Sequence, residues 1–150
     1  MYRSQLILSA VVCALAIACS SSSSERAVKG DEARALVENR NWLDVWPTSA
    51  DEKLMVYRFT PAMGGGVFQD RTLFRGQFEL FTYKLSDEQI VIHWPQNDSR
   101  DTIDYKIERV SGPEPFDLRL TLRGNSKGPK VLYGRSAETG DLEANLRGAL

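Results

Sequence analysis

Apolar and polar side chains alternate along most of this chain with a period of two, the pattern of strands that are buried on one face. The alternation begins at Asn41 and continues to about Arg135, and turn-forming residues interrupt it at intervals of strand length. It predicts a mainly β protein of about eight short strands. The predicted strands are residues 41–46, 54–60, 67–74, 77–85, 89–94, 102–108, 116–123 and 130–135.

Two short helices are predicted at the ends of this β region. Asp31 is a suitable N-cap for a helix at residues 32–38, where the apolar residues fall on one side. Asp141 is a suitable N-cap for a second helix that carries Leu142 and Leu146. We therefore expect a β domain with a short helix at each end.

The first eighteen residues have a different pattern, which is typical of an export signal. Arg3 gives a positive start, an apolar stretch of 13 residues extends from Leu6 to Ala18, and Cys19 follows a small residue. A helix that spans the bilayer core needs about 20 residues, so this stretch is too short to do so. The alternatives for it are an ordinary secretory signal and a short buried helix.

The residues that end this stretch resemble the lipobox of bacterial lipoproteins. The matching residues are Leu15, Ala16, Ile17, Ala18 and Cys19, and five serines follow them directly. The resemblance implies cleavage after Ala18, acyl chains such as palmitate on Cys19, and a lipid-anchored protein of the cell envelope. The residue after the cysteine is Ser20 and not the aspartate that commonly retains such proteins at the inner membrane. The resemblance therefore implies the outer membrane in a cell that has one.

These features divide the chain into three parts. Residues 1–18 are the predicted signal peptide, residues 19–30 a lipidated serine-rich tether, and residues 31–150 a single folded domain. A flexible tether of this length has a root-mean-square reach of about 16 to 20 Å, so the domain is expected close to the membrane. The two cysteines, Cys13 and Cys19, both precede the domain, so an apolar core and not a disulfide must stabilise it.

An antiparallel meander of this length protects its edges by closing into a barrel or by stacking two sheets, and we favour closure. The helix at residues 32–38, the aromatic first strand near Trp42 and the run of up-and-down strands resemble a lipocalin-like (calycin) β-barrel over residues 41–135. A barrel of eight strands is wide enough either to be filled by side chains or to hold one small ligand.

The positions that we expect to face the inside of such a barrel carry large side chains. The candidates for contact with a small apolar ligand are Trp42, Tyr57, Phe59, Trp94 and Tyr105. The other residues expected to face inward are Phe78, Leu80, Ile92, Phe116 and Leu120. Ordinary core packing is the alternative for each of them, and a lining this bulky favours a small cavity or a filled interior.

The charge of the chain excludes one class of partner and indicates one candidate surface. Cleavage removes only Arg3, which leaves 18 basic and 20 acidic side chains and a formal balance of −2. This is not the strongly basic composition that nucleic-acid binding requires. A local excess of cations near the end of the β region is a candidate membrane-facing basic patch, with an ordinary solvated face as the alternative. Its residues are Arg119, Arg123, Lys127 and Lys130.

Residues for catalysis or metal binding are few. The chain has a single histidine, His93, and the predicted mature protein has no thiol besides that of Cys19. We therefore expect no catalytic residues, no metal site and no cofactor. The glycines at residues 64–66 do not continue into the Gly-Lys-Ser/Thr of a phosphate-binding loop, so they are interpreted as a turn.

Two functions fit these observations. The first is a membrane-anchored lipoprotein that acts as a non-enzymatic binding module for a small apolar ligand held in the barrel. The alternative is a structural or interaction lipoprotein whose barrel is filled by side chains and which contacts another envelope protein. An enzyme is not expected.

Overall fold

The computed structural model of the protein describes residues 25–137. Cys19 and the predicted helix that begins at Asp141 lie outside these residues. The described elements, in chain order, are β1 (Arg26–Val28), α1 (Gly30–Val37), β2 (Asn41–Leu43), β3 (Leu54–Thr60), a 3-10 turn (Pro61–Met63), β4 (Gly65–Arg71), β5 (Gly76–Leu85), β6 (Gln89–Trp94), β7 (Ser99–Arg109), β8 (Leu118–Arg123) and β9 (Val131–Gly134).

Strands β2 to β9 form a closed antiparallel barrel in which each strand is hydrogen-bonded to its neighbours in the sequence. The ring closes where the last strand meets the first, at the pair Leu43 and Tyr133. The predicted fold, a mainly β up-and-down meander of eight strands that closes into a small barrel with a short helix before it, is confirmed.

Strand β1 is additional to the ring. It pairs with the end of β7, from Arg26 opposite Arg109 to Val28 opposite Ile107. Strand β7 has 11 residues, of which the first six pair with β6 and the last three with β1. Residues 26–28 lie in the segment that was predicted to be a tether. A strand of three residues is too short to show a period of two, so the sequence pattern does not predict it.

The strands agree with the prediction best where the alternation is uninterrupted. Strands β3 and β6 have the predicted bounds, and Tyr57 and Phe59 of β3 are buried in the core as expected. Strand β2 is shorter than predicted and ends at Leu43. The chain turns at this point, because the Asp44 carboxylate accepts a hydrogen bond from the Met55 N–H at 2.8 Å.

Helix α1 covers one end of the barrel, which we call the helix end. Ala33 and Val37 of the helix are buried in the core, and the Val37 carbonyl accepts a hydrogen bond of 2.9 Å from Trp42 Nε1. The buried Arg40 guanidinium donates to the Arg135 carbonyl at 2.7 Å. The start of β2 is therefore tied both to the helix and to the chain that follows β9.

Residues 124–130, between β8 and β9, close the opposite end, which we call the loop end. The Tyr57 hydroxyl donates to the Lys127 carbonyl at 2.7 Å, and Asn125 Nδ2 donates to the same oxygen. Gly128 has a φ of +70°, and a Cβ at this position would lie 2.8 Å from the Phe68 ring. The loop can therefore pack this closely against the core only with glycine at residue 128.

Three residues that were expected to face the interior lie outside the barrel, and for these the prediction is wrong. The side chains of Phe78 and Leu80 are on the outer face of β5 and are 70% and 52% exposed. The register of β5 with β6, which pairs Tyr83 with Ile92, places the odd-numbered residues of β5 inside instead. Phe116 precedes β8 and stacks on the outward-facing Tyr133 with 5.7 Å between ring centroids.

Candidate functional site

The five residues that were predicted to contact a ligand are all inside the barrel. Four of them are fully buried, and the fifth, Tyr105, is 9% exposed. The Tyr105 hydroxyl donates to the Ser86 carbonyl at 2.9 Å. The four fully buried residues are Trp42, Tyr57, Phe59 and Trp94.

Aromatic rings of the interior contact one another in a continuous network. Phe81 lies at its centre, with its ring centroid 5.4 Å from that of Phe59 and 5.3 Å from that of Trp94, both in edge-to-face geometry. The Tyr57 ring lies 4.8 Å from the Phe68 ring. Such contacts add to the stability gained by burial.

The depressions described for residues 25–137 have volumes of about 210 to 490 Å³. None of these four depressions is lined by Trp42, Phe59 or Trp94. The largest two are lined chiefly by residues on the outer face of the sheet. The two largest of these depressions are therefore on the outer face of the barrel.

The interior hydroxyls are not suited to acid–base chemistry. Burial raises the pKa of Tyr57 well above its usual range, and the nearby Asp101 charge adds to this effect. Burial also raises the pKa of Tyr83, whose hydroxyl donates to Glu38 Oε1 at 2.7 Å. Both tyrosines stay neutral at physiological pH and act as hydrogen-bond donors.

Asp101 is the buried acid of the loop end. Its Oδ2 atom accepts three hydrogen bonds, from Trp94 Nε1 at 3.1 Å, from the Ser126 N–H at 3.0 Å and from Ser126 Oγ at 2.7 Å. Burial alone would raise the pKa of Asp101, but the bonds from Ser126 and Trp94 outweigh it and hold this pKa below its usual range. The carboxylate is therefore a structural anchor for the loop.

Two of the four cations in the candidate basic patch form ion pairs within the protein. Arg119, on the outer face of β8, pairs with Glu25 at 2.6 Å and with Glu108 at 2.7 Å. Lys127 pairs with Glu79, and its Nζ atom lies 4.6 Å from the centroid of the Trp94 ring. These two cations are occupied within the protein. Arg123 and Lys130 have no ion-pair partner in the described part of the chain, and the proposed contact of the patch with a membrane remains a prediction.

His93 forms a simple surface pair. Its Nε2 atom is 2.8 Å from Asp98 Oδ1 in the turn after β6. Across residues 25–137, no three His, Cys, Asp or Glu side chains are grouped as metal ligands. In the same range no helix is long and apolar enough to cross a bilayer.

Exposed apolar side chains collect on one part of the outer face. The first group, which we call the hairpin patch, lies on β4, β5 and their flanking turns. Phe74, Phe78 and Met63 in this group are 78%, 70% and 77% exposed. The hairpin patch consists of Met63, Val67, Phe74, Phe78 and Leu80, and it borders a depression of about 410 Å³.

A second apolar region, which we call the outer groove, lies beside the hairpin patch over β2, β3 and β4. Its floor contains Leu54 and Val56, and its walls come from the loops before β3 and after β4, which meet where the Leu73 N–H donates to the Ala50 carbonyl at 3.2 Å. The volume is about 490 Å³. The groove is lined by Asn41, Leu43, Trp46, Pro47, Leu54, Val56, Gln69, Arg71 and Leu73.

The sheet register joins these two regions. Leu43 is opposite Val56, Val56 is opposite Gln69, and Gln69 is opposite Phe78, so one row of outward side chains crosses from the groove to the patch. The sequence analysis did not identify this surface. A signal was present, because the β5 strand has apolar residues at both even and odd positions, as a strand with two apolar faces would.

On the opposite side of the ring, the outer faces are polar. The outward residues of β7 from Arg100 to Lys106 are charged or hydroxylic and are exposed. A large apolar patch on only one side of a small barrel is typical of an interaction surface. Comparison of the whole chain with protein-family models, with curated proteins and with solved structures gives no match, so the site is defined by its geometry alone.

Proposed function

We propose that this protein is a non-enzymatic interaction module of the cell envelope, a lipid-anchored protein whose side-chain-filled barrel binds another envelope protein through the hairpin patch. The observation that carries the proposal is the contrast between the two faces of the sheet. On the inner face, Trp42, Phe59 and Trp94 are at 0% exposure, whereas large apolar side chains such as Phe78 are left in solvent outside. Binding energy is therefore available outside the barrel.

The position of the tether favours a protein as the partner of the hairpin patch, and not the membrane that holds the anchor. The chain toward Cys19 leaves from β1, which lies beside β7, and Glu25 is paired with Arg119 of β8. In a ring of eight strands, β7 and β8 are opposite β3 and β4. The six residues 19–24 have a root-mean-square reach of about 12 to 15 Å. A lipid on Cys19 would thus hold the β7–β8 side toward the membrane and turn the hairpin patch away.

The chemistry of the patch indicates the chemistry of its partner. Arg71 and Arg75 border the patch, and no acidic side chain within residues 25–137 lines it. Interfaces of this kind combine an apolar centre with a charged rim that is complementary between the partners. The partner proposed here is an envelope protein with an apolar surface that is bordered by carboxylates.

Two further expectations from the sequence are also proposals, and each has weaker support than the interaction through the hairpin patch. A relationship to lipocalin-like (calycin) barrels is supported by the closed up-and-down ring, the helix at one end and Trp42 in the first strand of the ring. The ligand-binding hypothesis, with Trp42, Tyr57, Phe59, Trp94 and Tyr105 as contacts, remains a prediction, and the dense packing of these residues favours the alternative. Mass spectrometry of organic extracts of the purified protein tests it, since a stoichiometric small molecule would support the ligand-binding function.

A photo-crosslinking amino acid at residue 78 is expected to give one discrete adduct with an envelope protein in intact cells. The same amino acid at Thr102, which is exposed on the polar side, is the matched control and is expected to give none. Once the partner is purified, Phe78→Asp should weaken its binding to the full chain by about tenfold or more, because buried aromatic residues dominate interface energies. Equal adducts from both positions, or adducts only with lipid or with a second copy, would contradict the proposal.

Replacement of Cys19 tests the anchor separately. In a Cys19→Ser variant of the full chain we expect the signal to remain uncleaved by the lipoprotein pathway and metabolic labelling with palmitate to be lost, because serine offers no thiol for acylation. Cys13→Ser is the matched control and should leave labelling unchanged. Normal labelling of the Cys19→Ser variant would show that the anchor is elsewhere or absent.

A further inference from the structure

We infer that the envelope protein proposed above binds by strand addition, with an extended segment of its chain paired to the first half of β5. The binding mode rests on the proposed function, because this half of β5 carries part of the hairpin patch. The edge that the segment pairs with consists of residues 76–80 on the side toward β6, and we call it the open edge.

The open edge has no strand beside it within residues 25–137. Strand β5 is ten residues long, and its residues 76–81 pair with β4, but only residues 82–85 pair with β6. The ladder with β6 stops where Pro95 follows that strand, because proline has no N–H to donate. The Leu80 carbonyl, at the level of Pro95, accepts from Gln96 Nε2 instead, at 2.9 Å.

The backbone groups of Phe78 and Gly76 point out of the open edge. In an antiparallel ladder the N–H and C=O of one residue point to the same side of the strand, and successive residues alternate between the two sides. Because the Leu80 carbonyl points toward β6, the groups of Phe78 and Gly76 point the same way. In the part of the chain that the structure describes, neither residue forms a backbone bond on that side. Two N–H donors and two C=O acceptors are therefore available to an added strand.

The hairpin of β4 and β5 projects past the loop end of the barrel. Gln77 has the same parity along β5 as the buried Phe81, but it is exposed. Asp70, which is opposite Gln77 on β4, is also exposed. Both faces of the hairpin are therefore in solvent at this point, and an approaching strand can reach its backbone.

The open edge lacks the features with which proteins usually prevent strand pairing. Lysine, proline, bulges and inward-pointing charges are the common ones. Residues 76–80 contain neither lysine nor proline, and the charge of the inward-facing Glu79 is compensated by its ion pair with Lys127. Five residues extend about 17 Å at the rise of a strand, which is long enough for the four backbone bonds. Recognition of an extended peptide by an exposed sheet edge uses such an edge.

The side chains beside the open edge indicate the sequence of the added strand. Phe78 and Leu80 are exposed on the outer face, so apolar side chains at alternate positions of the added strand would pack beside them. Arg75 is exposed at the tip of the hairpin and forms no ion pair within residues 25–137. A carboxylate at the end of the added strand would complement it. A second copy of the hairpin would instead bring its own Arg71 and Arg75, with no acidic residue among those that line the patch.

Amide hydrogen exchange of the full chain, with Cys19→Ser so that no acyl chain is present, tests the open edge without a partner. We expect the N–H groups of Phe78 and Gly76 to exchange fast, because they have no acceptor. The N–H groups of Gln77 and Glu79 face β4 and should exchange slowly, so they are matched controls in the same strand. Slow exchange at Phe78 and Gly76 in the chain alone would overturn the inference. If this slow exchange appeared only at high protein concentration, the edge would pair with a second copy.

The same measurement is then made with the envelope protein recovered from the adduct at residue 78. Exchange at Phe78 and Gly76 should slow by about tenfold or more in the complex, while Gln77 and Glu79 change little. If this protein binds and Phe78 and Gly76 still exchange fast, it contacts only side chains, which overturns strand addition and leaves the proposed function standing. The absence of any discrete adduct at residue 78 would overturn both.

Discussion

Replacement of Phe59 by alanine is expected to lower the free energy of unfolding by about 3–5 kcal/mol. The Phe59 ring is fully buried, stacks 6.0 Å from the Tyr57 ring, and meets Phe81 and Tyr83 edge to face. Removing it from a filled interior deletes apolar contacts and leaves a cavity that such a tightly packed interior cannot close. The loss is a large part of the 5–15 kcal/mol typical of small domains, and urea denaturation of the full chain measures it.

Phe78→Ala is the matched control for this experiment. It removes the same side chain from a position that is 70% exposed, so we expect a change of less than about 0.5 kcal/mol. The comparison also decides between the two interpretations of the barrel. If the interior held a ligand cavity beside Phe59, the ring would have fewer packed neighbours and its loss would cost less than about 3 kcal/mol.

Replacement of Asp101 by alanine is expected to cost about 3 kcal/mol or more, because it leaves buried donors unpaired. Three donors, Trp94 Nε1 and both groups of Ser126, converge on one carboxylate oxygen. Loss of these three hydrogen bonds would release residues 124–130 from the loop end and expose the aromatic network there. Asp104→Ala is the control, since Asp104 is on the exposed face of the same strand and accepts from Gln89. Equal effects of the two substitutions would show that Asp101 is not an anchor.

The stability of the protein is expected to fall with pH below about pH 5, and Asp101 should account for part of this fall. The pKa of Asp101 is lower in the folded protein than in the unfolded chain, so its contribution is complete above the unfolded pKa and is lost as pH falls toward the folded pKa. Glu108, whose pKa is lowered by hydrogen bonds from Lys106 and Arg119, adds to the same trend. Thermal midpoints from pH 3 to pH 7 should therefore vary less in Asp101→Asn than in the unmodified protein.

Much of the fold could be predicted from the sequence because most strands have one apolar face. Strand β6 is an example, since Ile90, Ile92 and Trp94 alternate with polar or half-exposed residues and all three are buried. Strand β1 could not be predicted, because its three residues are held by pairing with β7, which is distant in the sequence. Where only a long-range contact stabilises a segment, local pattern contains little information about it.

The candidate site shows the same limit. The interior aromatics were identified because a period of two separates the two faces of a strand. Phe78 and Leu80 were assigned to the wrong face, because β5 has apolar residues at both parities and only its register with β6 decides which parity is inside. The outer groove depends on the meeting of two loops at Ala50 and Leu73, which no periodicity encodes.

The seam between β2 and β9 determines when the ring can form. Residues 41–43 and residues 131–134 come from opposite ends of the barrel sequence, so a growing chain cannot complete the cylinder until residues 131–134 have left the ribosome. A product that ended prematurely before Val131 would expose the unpaired edges of β2 and β8 as templates for self-association. Nonsense mutations between the codons for β8 and β9 are therefore expected to produce aggregates and not shortened, working barrels.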